Sequence, residues 1–216
     1  MKVGEYMQKK RMVIFGGSGF VGQAIAKRAL ANQYEVVSIS RSGRPDQTDA
    51  WLNQITFVKS DVFDPTQWQD VIQPGDCLVD AIGILTQKKA KHITYRRFHY
   101  DIVELIIKTV KDIDNLSFIY ISASQGIPFH SGYLREKQRA EVFLKHLPLQ
   151  TAIVRPSLLY GPGRKYSTEM AKGIIQAKKI PGMAYLFKSF EPRPVEWVGD
   201  QVILKLEALT KEKDIH

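Results

Sequence analysis

Residues 11–30, RMVIFGGSGFVGQAIAKRAL, join an apolar run to a cluster of glycines and then to a helical pattern. The apolar run at 11–15 is typical of a buried strand, and the pattern over residues 20–31 is typical of an amphipathic helix. Four glycines between them form the pattern G-G-x-G-x-x-G: Gly16, Gly17, Gly19 and Gly22. The early glycines allow a tight turn, and the last allows the helix to pack closely on the strand. This stretch therefore predicts a strand–turn–helix unit.

The rest of the chain repeats this alternation of short apolar runs and helical patterns. The pattern predicts further strands at 34–40, 55–62, 77–85, 117–123 and 149–156, and further helices at 64–73, 95–113, 133–147, 166–178 and 200–210. Strands that are apolar throughout, separated by helices, indicate a parallel sheet covered on both faces. We therefore predict a doubly wound, Rossmann-type parallel α/β sheet in a single domain spanning 1–216. Residues 1–10 would form an N-terminal extension, and residues 164–216 a small C-terminal segment on the substrate side.

Composition favours a soluble protein of a reducing compartment. Of the 216 residues, 44% are hydrophobic, which is ordinary for a globular chain. Cys77 is the only cysteine, so an internal disulfide is excluded. No apolar run approaches the roughly 20 residues that span a bilayer, and the N-terminus has no signal-peptide pattern. The sequence predicts a cytoplasmic protein without a membrane span.

The net charge of +9 has two interpretations, a solvated basic surface or a surface that attracts anions. The basic residues are scattered and form no recognised nucleic-acid motif, so we predict no nucleic-acid partner. One basic segment, LTQKKAKHITYRRF at 85–98, follows the fourth predicted strand and should lie at the rim of a ligand cleft. Five side chains there could steer an anionic substrate or dock on an acidic partner, unless the segment is only a solvated loop: Lys88, Lys89, Lys91, Arg96 and Arg97.

The glycine turn also predicts a dinucleotide ligand. Its backbone N–H groups can approach a pyrophosphate, and the following helix N-terminus attracts the anion. A bare glycine pattern is weak evidence, but its place between a strand and a helix makes it strong. The predicted cofactor contacts here are Gly16, Gly17, Ser18, Gly19, Phe20, Val21 and Gly22.

The end of the second predicted strand indicates which dinucleotide binds. An acidic residue is usual there in NAD sites, where it holds the ribose hydroxyls. This chain instead supplies Ser40, Arg41, Ser42 and Arg44. An arginine can hold a 2′-phosphate through charge-assisted hydrogen bonds. NADP(H) is therefore favoured and NAD(H) stays open, as does the alternative that these arginines belong to an ordinary exposed loop.

Tyr133 and Lys137 are candidates for proton transfer. A second Tyr-x-x-x-Lys, at Tyr6 and Lys10, shows that the spacing alone is weak evidence. On a helical wheel, however, Tyr133 and Lys137 share a side with the apolar face formed by Ala140, Phe143, Leu144 and Leu147. An ammonium one turn away should favour the phenolate and lower the pKa of the tyrosine. Ser122 or Ser124, at the end of the fifth predicted strand, could hold the substrate oxygen, and no metal site is predicted.

The ordered set of motifs resembles an extended or atypical short-chain dehydrogenase/reductase. It comprises the glycine turn at 16–22, Asp61-Val62, AIGIL at 81–85, Tyr133-x-x-x-Lys137 and RPSLLYGPG at 155–163. The stretch at 121–145 is similar to the branch that contains the NAD(P)H-binding accessory subunit of mitochondrial complex I and a yeast coenzyme Q biosynthesis protein. The resemblance implies that Asp61 and Val62 flank the adenine. It also implies that Ala81, Ile82 and Gly83 pass the adenine ribose, with Arg155 and Pro156 near the nicotinamide.

The resemblance implies two functions. The first is an NAD(P)-dependent oxidoreductase acting on a small, apolar carbonyl or alcohol, with Tyr133 as general acid/base and Lys137 as its electrostatic partner and ribose ligand. The second is a non-catalytic NADP(H)-binding regulator or assembly factor. Two departures from the family pattern weaken the catalytic function: Ala123 occupies the place of the catalytic serine, and His99 lies near the place of a frequent asparagine. The missing serine and the short C-terminal segment favour the second function. The apolar residues Met183, Tyr185, Leu186 and Phe187 suit an apolar substrate or a packing appendage, and no pattern predicts an oligomeric state.

Overall fold

A six-stranded, wholly parallel sheet forms the centre of the protein. The computed structural model describes residues 10–124, 131–180, 182, 185 and 191–213. The strands are β1 Arg11–Phe15, β2 Glu35–Ser40, β3 Ile55–Lys59, β4 Cys77–Asp80, β5 Ser117–Ile121 and β6 Gln150–Val154. Their order is β3-β2-β1-β4-β5-β6. The chain adds β2 and β3 on one side of β1 and then adds β4, β5 and β6 on its other side, so the strand order reverses between β1 and β4. The predicted doubly wound parallel sheet is confirmed, and its crevice lies at that reversal.

Helices cover both faces of this sheet. They are α1 Phe20–Ala31, α2 Ile102–Val110, α3 Ser131–Lys145 and α5 Glu196–Lys213, whereas α4 Lys165–Ala177 packs on a short strand outside this sheet, Leu159–Tyr160. Alternate residues of β1 show the division, since Val13 and Phe15 pack with α2 and α3 while Met12 and Ile14 pack with α1 and α5. Because each central strand is buried on both faces, it reads as a continuous apolar run. A short parallel pair, β7 Leu159–Tyr160 with β8 Arg193–Pro194, lies apart from the main sheet.

The predicted helix at 64–73 was wrong. The structure has two short 3₁₀ turns instead, Pro65–Gln67 and Gln69–Val71. Trp68 separates them, since it is 1% exposed, contacts Phe15 edge-on at 5.0 Å between ring centroids, and donates from its indole Nε1 to the Val62 carbonyl. The backbone at Trp68 leaves the helical conformation while the ring is buried, so tertiary packing overrides the helical pattern of the sequence.

The predicted helix at 95–113 is divided. Residues 95–96 are α-helical, as predicted, and a π-helical turn at Arg97–Asp101 then separates them from α2. Several predicted strands were too long, because β3 and β4 end at Lys59 and Asp80 and the chain then becomes the walls of the crevice. Among the described residues, no helix combines the length and the apolar character needed to cross a membrane.

Candidate functional site

A cleft of about 860 Å³ opens at the carboxyl ends of the strands on both sides of the β1–β4 reversal. Four loops form it, one after each of β1, β2, β3 and β4. The predicted cofactor residues that line it are Gly16, Ser18, Gly19, Ser40, Arg41, Ser42, Asp61, Val62, Ala81, Ile82 and Gly83. The sequence therefore placed residues from all four loops at one crevice, as the geometry of a doubly wound sheet requires.

The other residues of the glycine turn, Gly17, Phe20, Val21 and Gly22, do not line the cleft. A Cβ on Gly22 would lie 2.6 Å from the Gly17 Cα and collide with the Gly16 carbonyl, and one on Gly17 would lie 2.8 Å from the Ser38 Cβ. Gly16 itself has φ +82°, which a side chain would strain. Gly17 and Gly22 thus allow the turn to close, whereas Gly16 and Gly19 line the space in front of it. Phe20 and Val21 follow at the start of α1 and are outside the lining.

The loop after β2 separates the two arginines of the cofactor prediction. Arg41 is exposed at the cleft, and it makes no hydrogen bond or ion pair with any residue that the structure describes. Arg44 instead donates to the Leu52 carbonyl at 3.3 Å and to Asn53 Oδ1 at 2.7 Å, outside the lining. The prediction that Arg44 faces the cofactor therefore has no support in this geometry, because its guanidinium already bonds to the 3₁₀ turn at Ala50–Gln54.

Several lining residues were missed by the sequence analysis. They are Ile39, Ser60, Phe63, Ile84, His92, Ile93 and Phe98. Phe63 and Phe98 meet edge-on at 5.3 Å, and the Arg97 guanidinium lies 4.3 Å from the Phe63 ring centroid. Lys91 and Arg97 of the basic segment also line the cleft, so part of that segment lies at the rim as predicted. Of the missed residues, Ser60 and Phe63 follow β3 closely and Ile84 follows β4 closely. That position after a strand was the available signal for these three.

Tyr133 and Lys137 lie on the sheet-facing side of α3, as the helical wheel predicts. Ala140 and Leu144 on the same side are fully buried. Lys137 is 4% exposed, and its Nζ donates to the Ile121 carbonyl at 2.7 Å. The ammonium lies 5.0 Å from the Tyr120 ring centroid and 5.7 Å from that of Tyr133. A buried lysine is costly unless it is paired, and these contacts provide part of the pairing.

A buried carboxylate, Asp80, attracts the charge of Lys137, and the sequence analysis missed it. Asp80 ends β4 with no exposed surface; its Oδ1 accepts the Ile82 N–H at 2.9 Å, and its Oδ2 has no hydrogen-bond partner among the described residues. Burial raises the Asp80 pKa and lowers the Lys137 pKa, and the attraction between the two charges opposes both shifts. Its sequence signal was an acid inside an otherwise apolar strand.

The expected lowering of the Tyr133 pKa was wrong for the protein without ligands. Burial, together with the neighbouring Tyr95, raises the pKa of the Tyr133 phenol to about 12, against the opposing charge of Arg164. Lys137 donates its hydrogen bond to the Ile121 carbonyl rather than to the phenol, and burial outweighs the opposing charge at Tyr133. At neutral pH Tyr133 is therefore a protonated phenol, able to donate a proton.

His99 lies against Tyr133 in the buried part of the site. Its ring is 5.0 Å from Tyr133, edge-on, and stacks on Tyr95 at 5.9 Å. Nε2 donates to the Ile84 carbonyl at 3.1 Å, while Nδ1 is buried without a hydrogen-bond partner among the described residues. Burial and the Lys137 charge lower the His99 pKa to about 3, so the ring is neutral. The π-helical turn places this ring against Gly83, where a Cβ added to the glycine would lie 3.2 Å from His99 Cε1.

The two candidate serines have different environments. Ser122 is buried beside Glu141, which Arg155 holds through bonds of 2.9 Å from Nε and 2.6 Å from Nη2. Burial acts to raise the pKa of Glu141, but Arg155 and the Ser122 hydroxyl outweigh it and lower that pKa. Ser124 is exposed, and its N–H donates to the Pro156 carbonyl at 2.9 Å. Ala123 between them is buried, so the exposed hydroxyl at this strand end belongs to Ser124.

Comparisons with known proteins agree with this geometry. A model of the NAD dependent epimerase/dehydratase family matches residues 12–213. The uncharacterized chloroplastic protein At1g32220 of Arabidopsis thaliana is 32% identical over 174 residues, which is 78% of this chain and 57% of that protein. The chain thus spans little more than half of that relative. MIOREX complex component 2 of Saccharomyces cerevisiae is 24% identical over 205 residues, 71% of this chain and 74% of the yeast protein.

A solved structure shows the same fold. The structure of ElxO with NADP bound superposes with a TM-score of 0.66 over 91% of both chains, at 16% sequence identity. At that identity the likeness concerns the fold. The family match confirms the resemblance to short-chain dehydrogenase/reductases drawn from the sequence motifs.

Proposed function

This chain belongs to the NAD dependent epimerase/dehydratase family, and from that premise we propose that it is an NADP(H)-dependent oxidoreductase acting on a small carbonyl or alcohol with an apolar body. The observation that carries the proposal is Tyr133, a partly buried phenol with the Lys137 ammonium 5.7 Å from its ring centroid. Tyr133 is not among the lining residues of the cleft, but its ring contacts His99 at 5.0 Å, and His99 lies against Gly83 of that lining. Buried titratable groups next to a cleft are typical of catalytic sites.

The cleft fits a nicotinamide dinucleotide. Its volume lies within the range of roughly 300–1,000 Å³ that is usual for small-molecule and cofactor sites. Gly16 and Gly19 leave backbone open where a pyrophosphate would approach, and side chains at positions 17 and 22 would collide with Ser38 and with the backbone of the turn and so prevent it from closing. Arg41 and Ser42 would hold a 2′-phosphate, with Ser18 beside them, since the Ser18 and Ser42 hydroxyls are 2.8 Å apart. Asp61, Val62 and Phe63 would contact the adenine side.

The chain's own residues provide acid–base chemistry and orientation. A bound nicotinamide supplies or accepts the hydride. The Tyr133 phenol is protonated at neutral pH and would donate its proton to the developing alkoxide during carbonyl reduction. Lys137 would stabilise the phenolate that remains and could bond to the ribose. Ser124 supplies an exposed hydroxyl that could hold the substrate oxygen, with Ser122 as the buried alternative.

A second function is favoured by one group of observations. Ala123 occupies the expected serine position, Lys137 bonds to the Ile121 carbonyl, and the Tyr133 pKa is raised. These features suit a non-catalytic protein that binds NADP(H) as a structural ligand or redox signal. A cytoplasmic location and a single domain spanning 1–216 remain predictions under either function.

A substrate screen distinguishes the two functions. NADPH absorbance is followed with quinones, aldehydes, ketones and nucleotide sugars, and NADPH and NADH binding are measured by calorimetry. Turnover of at least one carbonyl class supports the oxidoreductase. Cofactor binding with no turnover of any class supports the regulator, and failure to bind either cofactor at sub-millimolar concentration contradicts both.

The cofactor preference predicts different effects of the two arginine substitutions. Arg41→Ala is expected to weaken NADPH binding about 10-fold or more and leave NADH binding nearly unchanged, because charge-assisted hydrogen bonds contribute roughly 1.5–3 kcal/mol. Arg44→Ala removes bonds to Leu52 and Asn53 and should lower thermal stability without changing that preference. Calorimetric titration of both cofactors checks this. Equal loss of NADPH and NADH affinity in Arg41→Ala would contradict a 2′-phosphate contact.

A further inference from the structure

Arg164 occupies a fixed position beside the first residue of α1. It immediately precedes α4, and its guanidinium carbon lies 4.8 Å from the ring centroid of Phe20, the residue that follows the glycine turn. The backbone there is held on both sides, because the Arg164 N–H donates to the Gly161 carbonyl at 3.2 Å and the Arg164 carbonyl accepts from Thr168 Oγ1 at 2.9 Å. The cation is therefore placed by the loop and by the Phe20 ring.

The charge of Arg164 is not neutralised by any residue that the structure describes. The side chain is exposed and forms no ion pair there. Other arginines of this half of the chain are paired, since Arg155 bonds to Glu141 and Arg193 to Glu191. The Arg164 charge nevertheless reaches the Tyr133 phenol, where it opposes the burial that raises the pKa. An unpaired cation within electrostatic range of the reacting group can interact with a ligand bound there.

The surroundings also fit a particular ligand body. Tyr95 and Tyr133 meet edge-on with 5.7 Å between ring centroids, and Phe20 lies under Arg164. Tyr95 and Tyr133 offer aromatic contact at the proton donor, and Phe20 offers it beside Arg164. Arg164 itself offers five N–H donors in a planar fork that matches a carboxylate or a phosphate. A neutral apolar compound would leave that fork without a partner.

We infer that Arg164 is an anion-binding residue of the substrate site, which selects carbonyl or alcohol substrates carrying a carboxylate or phosphate group beside an apolar body. The inference rests on the proposed function, because it places the substrate at Tyr133. The pyrophosphate of the dinucleotide has the same anionic chemistry and would bind at the glycine turn, which directly precedes Phe20. The experiment must therefore separate substrate binding from cofactor binding.

The test compares an anionic and a neutral probe of the same shape. Protein saturated with NADP⁺ is titrated by calorimetry with 4-carboxybenzaldehyde and with its methyl ester, methyl 4-formylbenzoate. The wild type should bind the acid about 10-fold or more tightly than the ester, as expected of a charge-assisted bidentate pair. Arg164→Met, which keeps a long side chain over Phe20, should lose this difference and leave ester binding unchanged. Arg164→Lys should retain part of it.

A matched control is Arg139→Met, because Arg139 lies 4.3 Å from the Tyr100 ring centroid, in the same kind of cation–ring contact but on the outer side of α3. This variant should keep the wild-type preference for the acid. The inference is overturned if neither probe binds the wild type, if the acid shows no advantage, or if Arg164→Met keeps that advantage. It is also overturned if Arg164→Met weakens NADP⁺ rather than the acid, since the anion is then the cofactor's. Selective acid binding in the wild type, together with no turnover of any carbonyl class in the NADPH screen, would contradict the oxidoreductase and leave the anion site intact.

Discussion

Replacement of Tyr133 by phenylalanine is expected to lower turnover by roughly 100-fold or more and to leave cofactor affinity nearly intact. The substitution removes the phenolic proton that Tyr133 would donate to the carbonyl oxygen. The cleft residues that would hold the dinucleotide are on other elements, in the loops after β1 to β4. A loss confined to turnover would therefore identify the hydroxyl as the reacting group.

The phenylalanine variant should fold normally because Tyr133 packs through its ring. The edge-on contacts with Tyr95 at 5.7 Å and His99 at 5.0 Å involve carbon atoms that phenylalanine keeps. With a phenol pKa of about 12, the reducing direction should depend little on pH near neutrality. The oxidising direction requires the phenolate and should accelerate as pH rises toward that value. Tyr133→Phe should abolish this pH dependence.

Tyr100→Phe is the control for this prediction. Tyr100 packs edge-on against Phe143 at 6.0 Å and lies outside the cleft lining. Its loss of a hydroxyl should leave steady-state turnover of the substrate found by the screen unchanged. Equal turnover in wild type and Tyr133→Phe would show that Tyr133 is structural and would favour the regulator.

Local pattern sufficed for the sheet and failed where a distant contact decided the conformation. Each buried strand is an apolar run in the sequence, and the glycine turn marks the first strand–helix unit. The alternation of such strands with helices was enough to predict a doubly wound parallel sheet. The helical pattern at 64–73 obeys ordinary capping signals, yet burial of Trp68 against Phe15 breaks it into two turns. That contact spans more than fifty positions of sequence, beyond the reach of any periodicity.

The candidate site shows the same division. The four-residue spacing of Tyr133 and Lys137 fixes their shared face, because α3 is a regular helix. The charge of Asp80 acts on Lys137, the His99 ring contacts Tyr133, and the charge of Arg164 acts on the Tyr133 phenol. These three residues come from other parts of the chain, and only the packed fold brings them to the pair. The error in the Tyr133 pKa has the same origin: burial is a property of the tertiary structure, whereas spacing predicts only the nearby charge.

Gly22→Ala is expected to destabilise the protein by about 3 kcal/mol and to abolish cofactor binding. The added Cβ would lie 2.6 Å from the Gly17 Cα and collide with the Gly16 carbonyl. Both obstacles are backbone, so α1 must move away from the glycine turn rather than a side chain rotating aside. A loss of this size is a large part of the roughly 5–15 kcal/mol that stabilises a typical domain. Urea denaturation and NADPH calorimetry measure the two effects.

Gly173→Ala supplies the matched comparison, because Gly173 also lies within a helix, α4, and an added Cβ there meets nothing within 4 Å. Alanine is favoured over glycine in a helix interior, so this variant should be more stable than the wild type by about 0.5–1 kcal/mol. Gly22→Ala gains the same helix propensity, and the difference between the variants isolates the cost of the collision. If both variants were stabilised alike, the close packing of α1 on β1 would be absent, and the glycine turn could not present its backbone to a dinucleotide as proposed.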